Sequence, residues 1–338
     1  MLSKRLASLT CAALLTGCIF GLSAAAASAA TLNGAGSTLV APIENEWAAA
    51  WGQATGNFVN YSPVGSGTGE KDVAAGLVDF GGSDAPLSVY PSAPSNLVQI
   101  PWALTATGVS YHLTGIPRIH LTGPVLAAIY LGQITNWSDS RITSLNPGLH
   151  IPNLPITVFW RSDGSGDTYA FTRYLSDVSP TFASRVGSST TVSFPVGQGA
   201  KGNTGMASAV SGTNGAIAYI AVSYMINDHL PAVALKNAAG RYVVPNLGAI
   251  EAAAAVVHSV PSNNQVTIVN PSRRAKAAYP ISTFTYAFVP TNAPQGALLK
   301  SFIAYALGQG QSFGPRLDFA PLPRDVKAAD YRTLNSIS

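Results

Sequence analysis

Cysteine and charge are both scarce in this sequence. It has two cysteines, Cys11 and Cys18, and 10% of its 338 residues are charged. Because both cysteines lie near the N-terminus, the rest of the chain can form neither a disulfide nor a thiolate site. The five histidines are scattered, without the spacing of metal ligands. We therefore expect no metal, no cofactor, and a fold that depends on its hydrophobic core.

Basic residues are too few and too dispersed for a nucleic-acid-binding surface. The densest cluster, at residues 273–276, lies among Pro and Ser and is typical of a solvated turn. The formal net charge of +4 falls to +2 from Thr31 onward, because Lys4 and Arg5 precede that point. We expect no nucleic-acid partner.

The first 30 residues have the layout of a secretory signal. Lys4 and Arg5 give a basic start, residues 6–22 are apolar or small, and residues 27–29 fit an A-x-A cleavage pattern. The apolar run is too short for a comfortable membrane span. We therefore predict that residues 1–30 are a signal peptide and that the mature protein is periplasmic.

A second cleavage pattern leaves the mode of export open. Residues 15–18 read Leu-Thr-Gly-Cys and are similar to a bacterial lipobox, in which Cys18 would be lipidated. The residues after Cys18 are apolar, whereas the tether of a lipoprotein is usually polar. Attachment to the cell envelope through Cys18 is therefore the alternative to soluble export.

Strand-then-helix units follow the leader. Strands are predicted at residues 57–63, 78–80, 156–160, 216–222 and 284–289, and helices near residues 42–51, 70–76, 168–175 and, as the last clear one, 295–307. This alternation favours an α/β fold with parallel sheets and helical crossovers. Open sheets of this kind bind ligands at the carboxyl ends of their strands.

Three turns at such positions share one chemistry. Residues 33–38, 65–69 and 161–167 combine glycine, Ser or Thr hydroxyls and a helix directly afterwards. Free amides at the positive end of a helix dipole, together with hydroxyl donors, can bind an anion without lysine. Similar turns also begin many helices that bind nothing, so a plain helix cap is the alternative for each.

Charged side chains in and near these turns indicate which kind of anion they could bind. Arg161 precedes the third turn, where a guanidinium can hold two oxygens of a tetrahedral anion, although it could also pair with Asp163. Asp84 and Asp167 are carboxylates, which accept hydrogen bonds and so tolerate an anion that carries a proton. Phosphate carries one or two protons near neutral pH and sulfate carries none. A carboxylate in the site would therefore exclude sulfate, although Asp84 could instead cap its turn.

Motifs for catalysis do not occur in these turns. Residues 65–71 are not a P-loop, because Glu70 stands where Gly should precede Lys71. No nucleophile elbow surrounds Ser66 or Ser165. We therefore expect a binding protein rather than an enzyme.

Together, the turns closely resemble those of the PstS family, the phosphate-binding subunits of phosphate-specific ABC transporters. Four loops carry the resemblance in family order, at residues 34–38, 65–67, 78–88 and 161–168. Shorter similar stretches lie at residues 129–134, 145–149, 201–205 and 215–219. The resemblance spans essentially the whole chain after the leader.

The resemblance implies a two-lobe periplasmic-binding-protein fold of type II. Each lobe would be a mainly parallel sheet flanked by helices, with a hinge between the lobes. Lobe 1 would comprise residues 31–104 and 283–338, and lobe 2 residues 105–282. Closure of the hinge would bury inorganic phosphate, which a membrane ABC permease complex would then receive. A monomer suits such a shuttle.

The resemblance also implies roles for residues of lobe 1. The backbone amides of Thr38 and Leu39, and the Thr38 hydroxyl, would bind phosphate oxygens. Ser66 would donate its hydroxyl, and Asp84 would accept the proton of phosphate.

In lobe 2, the resemblance implies that Arg161 forms the ion pair with phosphate and that Asp163 orients it. Ser165, Gly166 and Asp167 would donate from the start of the next helix. Asp167 stands where other members carry Thr. A second carboxylate could accept a second proton and favour the monobasic ion at acidic pH.

Three other functions stay open at this point. The chain could bind another oxyanion such as sulfate, it could be a secreted phosphatase, or it could be a surface protein that keeps the fold alone. Asp84 argues against the first, and the lack of a recognisable nucleophile and base argues against the second.

Overall fold

The computed structural model describes residues 29–338, so the predicted leader and its lipobox lie outside the described residues, apart from Ala29 and Ala30. The described chain forms eleven strands and eleven α-helices. The strands are β1 (Thr31–Gly36), β2 (Phe58–Ser62), β3 (Phe80–Ser83), β4 (Leu97–Tyr111), β5 (His120–Thr122), β6 (Thr157–Arg161), β7 (Gln198–Ala200), β8 (Ala216–Ala221), β9 (Ala234–Lys236), β10 (Tyr242–Val243) and β11 (Ser282–Pro290). The helices are α1 (Ala41–Thr55), α2 (Ser66–Ala74), α3 (Gly123–Tyr130), α4 (Ser140–Thr143), α5 (Gly166–Val178), α6 (Pro180–Arg185), α7 (Gly202–Gly212), α8 (Val222–Asn227), α9 (Leu247–Ala254), α10 (Gly296–Leu307) and α11 (Arg324–Asn335).

Eight of the strands form one sheet in the order β2-β1-β3-β11-β4-β8-β6-β7. β1 pairs in parallel with β2 and β3, and β6 pairs in parallel with β8 and β7. A small second sheet has the order β10-β9-β5. We call the half of the large sheet around β1, β2, β3 and β11 the first lobe, and the half around β6, β7 and β8 the second lobe.

The long strand β4 connects the two lobes. Its residues 97–106 pair antiparallel with β11, and its residues 107–111 pair antiparallel with β8. The chain therefore enters the second lobe within β4 and returns to the first lobe at the start of β11. The lobe limits given above from the resemblance stay a prediction.

Each strand and helix predicted from the sequence has a counterpart, with shifted ends. One shift of consequence concerns α2, which begins at Ser66 rather than near residue 70, so that the second predicted turn is largely helical. Gly69 explains why the helix can begin there. A Cβ on Gly69 would lie 2.4 Å from the carbonyl oxygen of Ala35 in β1, so the bare backbone lets α2 lie directly on the sheet.

The helix predicted at residues 295–307 is confirmed as α10, but the prediction that it is the last helix is wrong, because α11 follows it. This helix is mostly polar and buries four residues on one side. These are Val326, Ala329, Asp330 and Leu334. Val326, Asp330 and Leu334 are four residues apart, which is a helical spacing. The charged residues between them make this pattern difficult to recognise in the sequence.

Aromatic side chains pack the helices of the first lobe against its sheet. Trp102 of β4 contacts Trp47 of α1, with ring centroids 5.3 Å apart, and Phe80 of β3, with ring centroids 5.7 Å apart. All three side chains are fully buried, so they fix α1 against the sheet. Among residues 29–338, the helices are all too short or too polar to cross a membrane.

Candidate functional site

Five segments meet where the two lobes face each other. They follow the carboxyl ends of β1, β2 and β3 in the first lobe and of β6 and β7 in the second, which is the ligand-binding position of open α/β sheets. Every site residue assigned from the sequence lies at the end of one of these strands, in the loop after it or in the first turn of the next helix. These residues are Thr38, Leu39, Ser66, Asp84, Arg161, Asp163, Ser165, Gly166 and Asp167.

The glycine-rich turns of the two lobes touch each other. The amide of Gly67 donates to the carbonyl of Gly164 at 3.0 Å, and the amide of Gly166 donates to Ser66 Oγ at 3.1 Å. A Cβ on Gly67 would lie 3.3 Å from the Cα of Gly164, closer than ordinary contact. Glycine therefore lets the two lobes approach at this point.

Asp84 is a buried carboxyl group with hydroxyl donors around it. Ser37 Oγ lies 2.7 and 2.6 Å from its two oxygens, and Ser66 Oγ lies 3.3 Å from Oδ2. Burial raises the pKa of Asp84, and the charge of Asp167 raises it further. The Ser37 hydroxyl, the charge of Arg161 and the Ser66 hydroxyl lower it by less. Asp84 therefore keeps or shares a proton more readily than an ordinary aspartate.

Two carboxylates hold the guanidinium of Arg161. Its Nε donates to Asp163 Oδ1 at 2.8 Å, its Nη2 donates to Asp163 Oδ2, and its Nη1 donates to Asp167 Oδ2 at 3.0 Å. Burial opposes the charge of Arg161, but the contacts with Asp163 and Asp167 outweigh it and raise the pKa. The side chain is thus charged and fixed, with one N–H on each Nη left to donate to an anion.

Asp167, in the first turn of α5, accepts hydrogen bonds from side chains of three other elements. Its Oδ1 accepts a hydrogen bond from Thr107 Oγ1 of β4 at 2.7 Å. Its Oδ2 accepts from Asn203 Nδ2 of α7 at 2.8 Å, in addition to Arg161 of β6. Burial raises the pKa of Asp167, and the charge of Arg161 and these hydrogen bonds oppose the rise. The carboxylate therefore supports Arg161.

Some of the donors assigned from the sequence are engaged with protein atoms. The amide of Leu39 donates to Ser37 Oγ at 3.0 Å, so an anion that used this amide would replace that bond. Ser165 Oγ caps α5 by accepting from the amide of Thr168 at 3.4 Å, which leaves its own proton free to donate. The amide of Thr38 has no hydrogen-bond partner within residues 29–338.

Negative charge exceeds positive charge in this site. One guanidinium, that of Arg161, faces the carboxyl groups of Asp84, Asp163 and Asp167. Partial burial would raise the pKa of Asp163, but the hydrogen bonds and charge of Arg161 lower it, so Asp163 is ionised. An anion would be repelled unless Asp84 or Asp167 holds a proton or the anion supplies one.

Comparison with known proteins now identifies the family. The PBP superfamily domain matches residues 23–309. The phosphate-binding protein PstS of Xylella fastidiosa is 36% identical over 301 residues, which cover 87% of this chain and 82% of that protein. The phosphate-binding protein PstS of Pasteurella multocida is 34% identical over 319 residues, with coverages of 93% and 92%. The chain belongs to the PstS family.

Solved structures agree with the fold expected of a PstS protein. A high-affinity periplasmic phosphate-binding protein bound with phosphate superposes with a TM-score of 0.70, at 22% identity over 91% of this chain and 99% of that one. An ABC-type phosphate transport receptor from Vibrio cholerae superposes with a TM-score of 0.58. The two sequences are 19% identical, and the superposition covers 86% of this chain and 100% of the receptor chain. The predictions of PstS membership and of a two-lobe α/β fold are therefore confirmed.

Sequence reasoning missed four side chains that support the site of this PstS protein. They are Ser37, Thr107, Asn203 and Tyr219. Ser37 and Asn203 stand in short stretches that resemble the family, so their position was a usable signal. Tyr219 also stands in such a stretch, at residues 215–219. Thr107 lies within a buried strand, where no local pattern distinguishes it from core residues.

Proposed function

We propose that this chain binds inorganic phosphate between its two lobes and delivers it to a membrane ABC permease for import. The observation that carries the proposal is the juxtaposition of a buried proton acceptor, Asp84, with a fixed cationic donor, Arg161. Hydroxyl and amide donors of Thr38, Ser66 and Ser165 surround them. Relatives that cover most of the chain are named phosphate-binding proteins, which supports the same ligand.

Asp84 favours phosphate over sulfate. Asp84 is 1% exposed, so water cannot screen its carboxyl group from an anion next to it. When Asp84 is ionised, phosphate can donate its own proton to the carboxylate and turn a repulsion into a hydrogen bond, whereas sulfate cannot. The excess of carboxyl groups over guanidinium groups strengthens this preference, since each unshared charge would repel an anion without a proton.

Binding without catalysis fits the site best. Ser66 Oγ bonds to Asp84 and to the amide of Gly166, and Ser165 Oγ caps α5. Within the described part of the chain, no His or Lys side chain hydrogen-bonds to either hydroxyl, so neither belongs to a Ser–His or Ser–Lys nucleophilic pair. Among residues 29–338, no group of three or more His, Cys, Asp or Glu side chains could hold a metal ion. The proposed mechanism is closure of the lobes on the ligand.

The remaining parts of the proposal concern place and partners. Phosphate import through an ABC permease requires the protein at the outer side of the inner membrane, which agrees with the secretory pattern in residues 1–30. We propose a monomeric periplasmic protein that docks on the permease after closing. Lipid attachment through Cys18 would place the same lobes at the same membrane.

Calorimetric titration of phosphate-stripped protein tests the ligand. We expect one phosphate per chain with a Kd of about 1 μM or below, equivalent to roughly −8 kcal/mol, and no heat with sulfate at the same pH. The protein should also release no product from a chromogenic phosphate ester.

Three other outcomes of these measurements would contradict the proposal. Absence of phosphate binding would overturn the proposed ligand. Equal binding of sulfate would overturn the role of Asp84, and ester turnover that is lost in Ser66→Ala or Ser165→Ala would mark the chain as a phosphatase.

A further inference from the structure

Asn203 is a fully buried side chain that connects the two lobes at the site. One hydrogen of its Nδ2 donates to Thr38 Oγ1 of the first lobe, and the other donates to Asp167 Oδ2 of the second lobe, both at 2.8 Å. Its Oδ1 accepts from the backbone amide of Ala221 at 2.8 Å. Every hydrogen-bonding atom of this side chain is therefore used.

The backbone contact settles which way the amide group points. The amide of Ala221 can donate and cannot accept, so the atom next to it must be the carbonyl oxygen of Asn203. The NH₂ group then has to face Thr38 and Asp167. The opposite orientation would set two donors against each other at Ala221 and a carbonyl oxygen against the carboxylate of Asp167.

This orientation restricts the hydroxyl of Thr38. Because Thr38 Oγ1 accepts a hydrogen bond from Asn203, its own proton must point elsewhere. The methyl group of Thr38 lies 3.6 Å from where a Cβ on Gly202 would be, so the start of α7 lies beside this side chain. Thr38 is 8% exposed, so a small part of it remains accessible.

We propose that Asn203 is a positioning residue, which aims the Thr38 hydroxyl at the bound anion as the lobes close. The proposal rests on the proposed function, because Thr38 is one of the residues assigned to phosphate. Without Asn203, the hydroxyl of Thr38 loses this hydrogen bond and is free to rotate. A donor that is already oriented loses less entropy when the anion arrives.

A double-mutant cycle on phosphate affinity tests this inference. Thr38→Val removes the hydroxyl and keeps the shape, and we expect it to weaken binding about tenfold or more, as for a lost hydrogen bond to a charged group. Asn203→Leu should weaken binding about tenfold in the wild type, but less than about twofold in the Thr38→Val background. In a Thr38→Ser background, which keeps a hydroxyl, Asn203→Leu should again weaken phosphate binding about tenfold.

Asn146 supplies the matched control. It is a buried asparagine of the second lobe whose side chain makes three hydrogen bonds to the backbone of His120 and Ile142, away from the site. Asn146→Leu should lower the melting temperature without changing phosphate affinity. If Asn203→Leu does not fold, Asn203→Ala takes its place in the cycle.

Two outcomes separate this inference from the proposed function. If the wild type does not bind phosphate, the proposed function fails. If it binds phosphate, and Asn203→Leu costs the same affinity with and without the Thr38 hydroxyl, then Asn203 has a purely structural role and the inference is wrong.

Discussion

Gly166 and Asp84 lie so close together that no side chain fits between them. A Cβ on Gly166 would lie 2.5 Å from the Cβ of Asp84 and 2.7 Å from its Cα and its amide nitrogen, whereas ordinary contacts begin near 3.4 Å. Gly166 begins α5 in the second lobe and Asp84 follows β3 in the first. This contact therefore sets how closely the two lobes approach.

Gly166→Ala should keep the lobes from closing fully. The added methyl group would have to push two backbones apart, so we expect phosphate affinity to fall by about tenfold to 100-fold, since overpacking commonly costs about 1–3 kcal/mol. Gly212→Ala, in the last turn of α7, is the control, because a Cβ there would meet nothing within 4 Å. Calorimetric titration of both variants checks the prediction, and equal affinities would contradict it.

Asp84→Asn should reverse the preference among oxyanions. The amide group can donate a hydrogen bond, so it no longer requires a proton on the ligand. We expect phosphate binding to weaken about tenfold or more and sulfate binding to become measurable. Asp79→Asn is the control, since Asp79 accepts from the backbone of Asn33 outside the site. A variant that still ignores sulfate would show that another group excludes it.

Arg161→Lys should weaken phosphate binding about 100-fold or more, although it keeps the positive charge. An ammonium group cannot contact Asp163 through two parallel bonds, reach Asp167 and still present two donors to an anion. The control is Arg173→Lys, because Arg173 forms an exposed pair with Asp177. An affinity within about threefold of wild type would mean that charge alone matters at this position.

Asp167→Thr should reduce the dependence of phosphate affinity on pH. Burial raises the pKa of Asp167, so it loses its proton above the ordinary value for aspartate, and the ionised form repels the ligand. Wild-type affinity should therefore fall more steeply with rising pH than that of the variant. Titrations between pH 5 and 8 test this, with the ionisation of phosphate common to both proteins. Profiles of the same slope in both proteins would remove the proposed role of the second carboxylate.

Glu44→Met should stabilise the protein, most strongly at alkaline pH. Glu44 is fully buried in α1, and neither carboxyl oxygen has a hydrogen-bond partner among residues 29–338. Burial raises its pKa from 4.5 to about 8. The folded protein therefore holds a proton that the unfolded chain releases, and the free energy of unfolding falls as pH rises through this interval.

Urea unfolding at pH 5 and pH 8 measures this effect. We expect Glu44→Met to gain about 1–3 kcal/mol at pH 8 and less at pH 5. The exposed Glu251→Met in α9 should change little. Some pH dependence should remain, because burial also raises the pKa of Asp330 to about 9. A variant less stable than wild type at pH 8 would show that Glu44 has a partner in solution.

Much of this protein can be inferred from its sequence, because the relevant signals are local. Glycine and hydroxyl residues before a helix mark an anion-binding turn wherever that turn lies. Arg161 and Asp163 are two positions apart, so their pairing was a reasonable expectation from the sequence. The alternation of strands and helices predicts parallel sheets, whose carboxyl ends bring the turns of one lobe together.

The tertiary structure decided what lies between distant segments. Thr38 and Asn203 are 165 positions apart and meet because α1 and α7 begin on facing sides of the two lobes. Neighbours from other elements likewise decide that the Ser37 hydroxyl pairs with Asp84 and that Thr107 pairs with Asp167. They also decide that Glu44 is buried. A sequence displays which donors and acceptors a chain contains. Which of them pair, and which keep a proton, depends on burial and on distances of a few ångströms, and folding alone sets these.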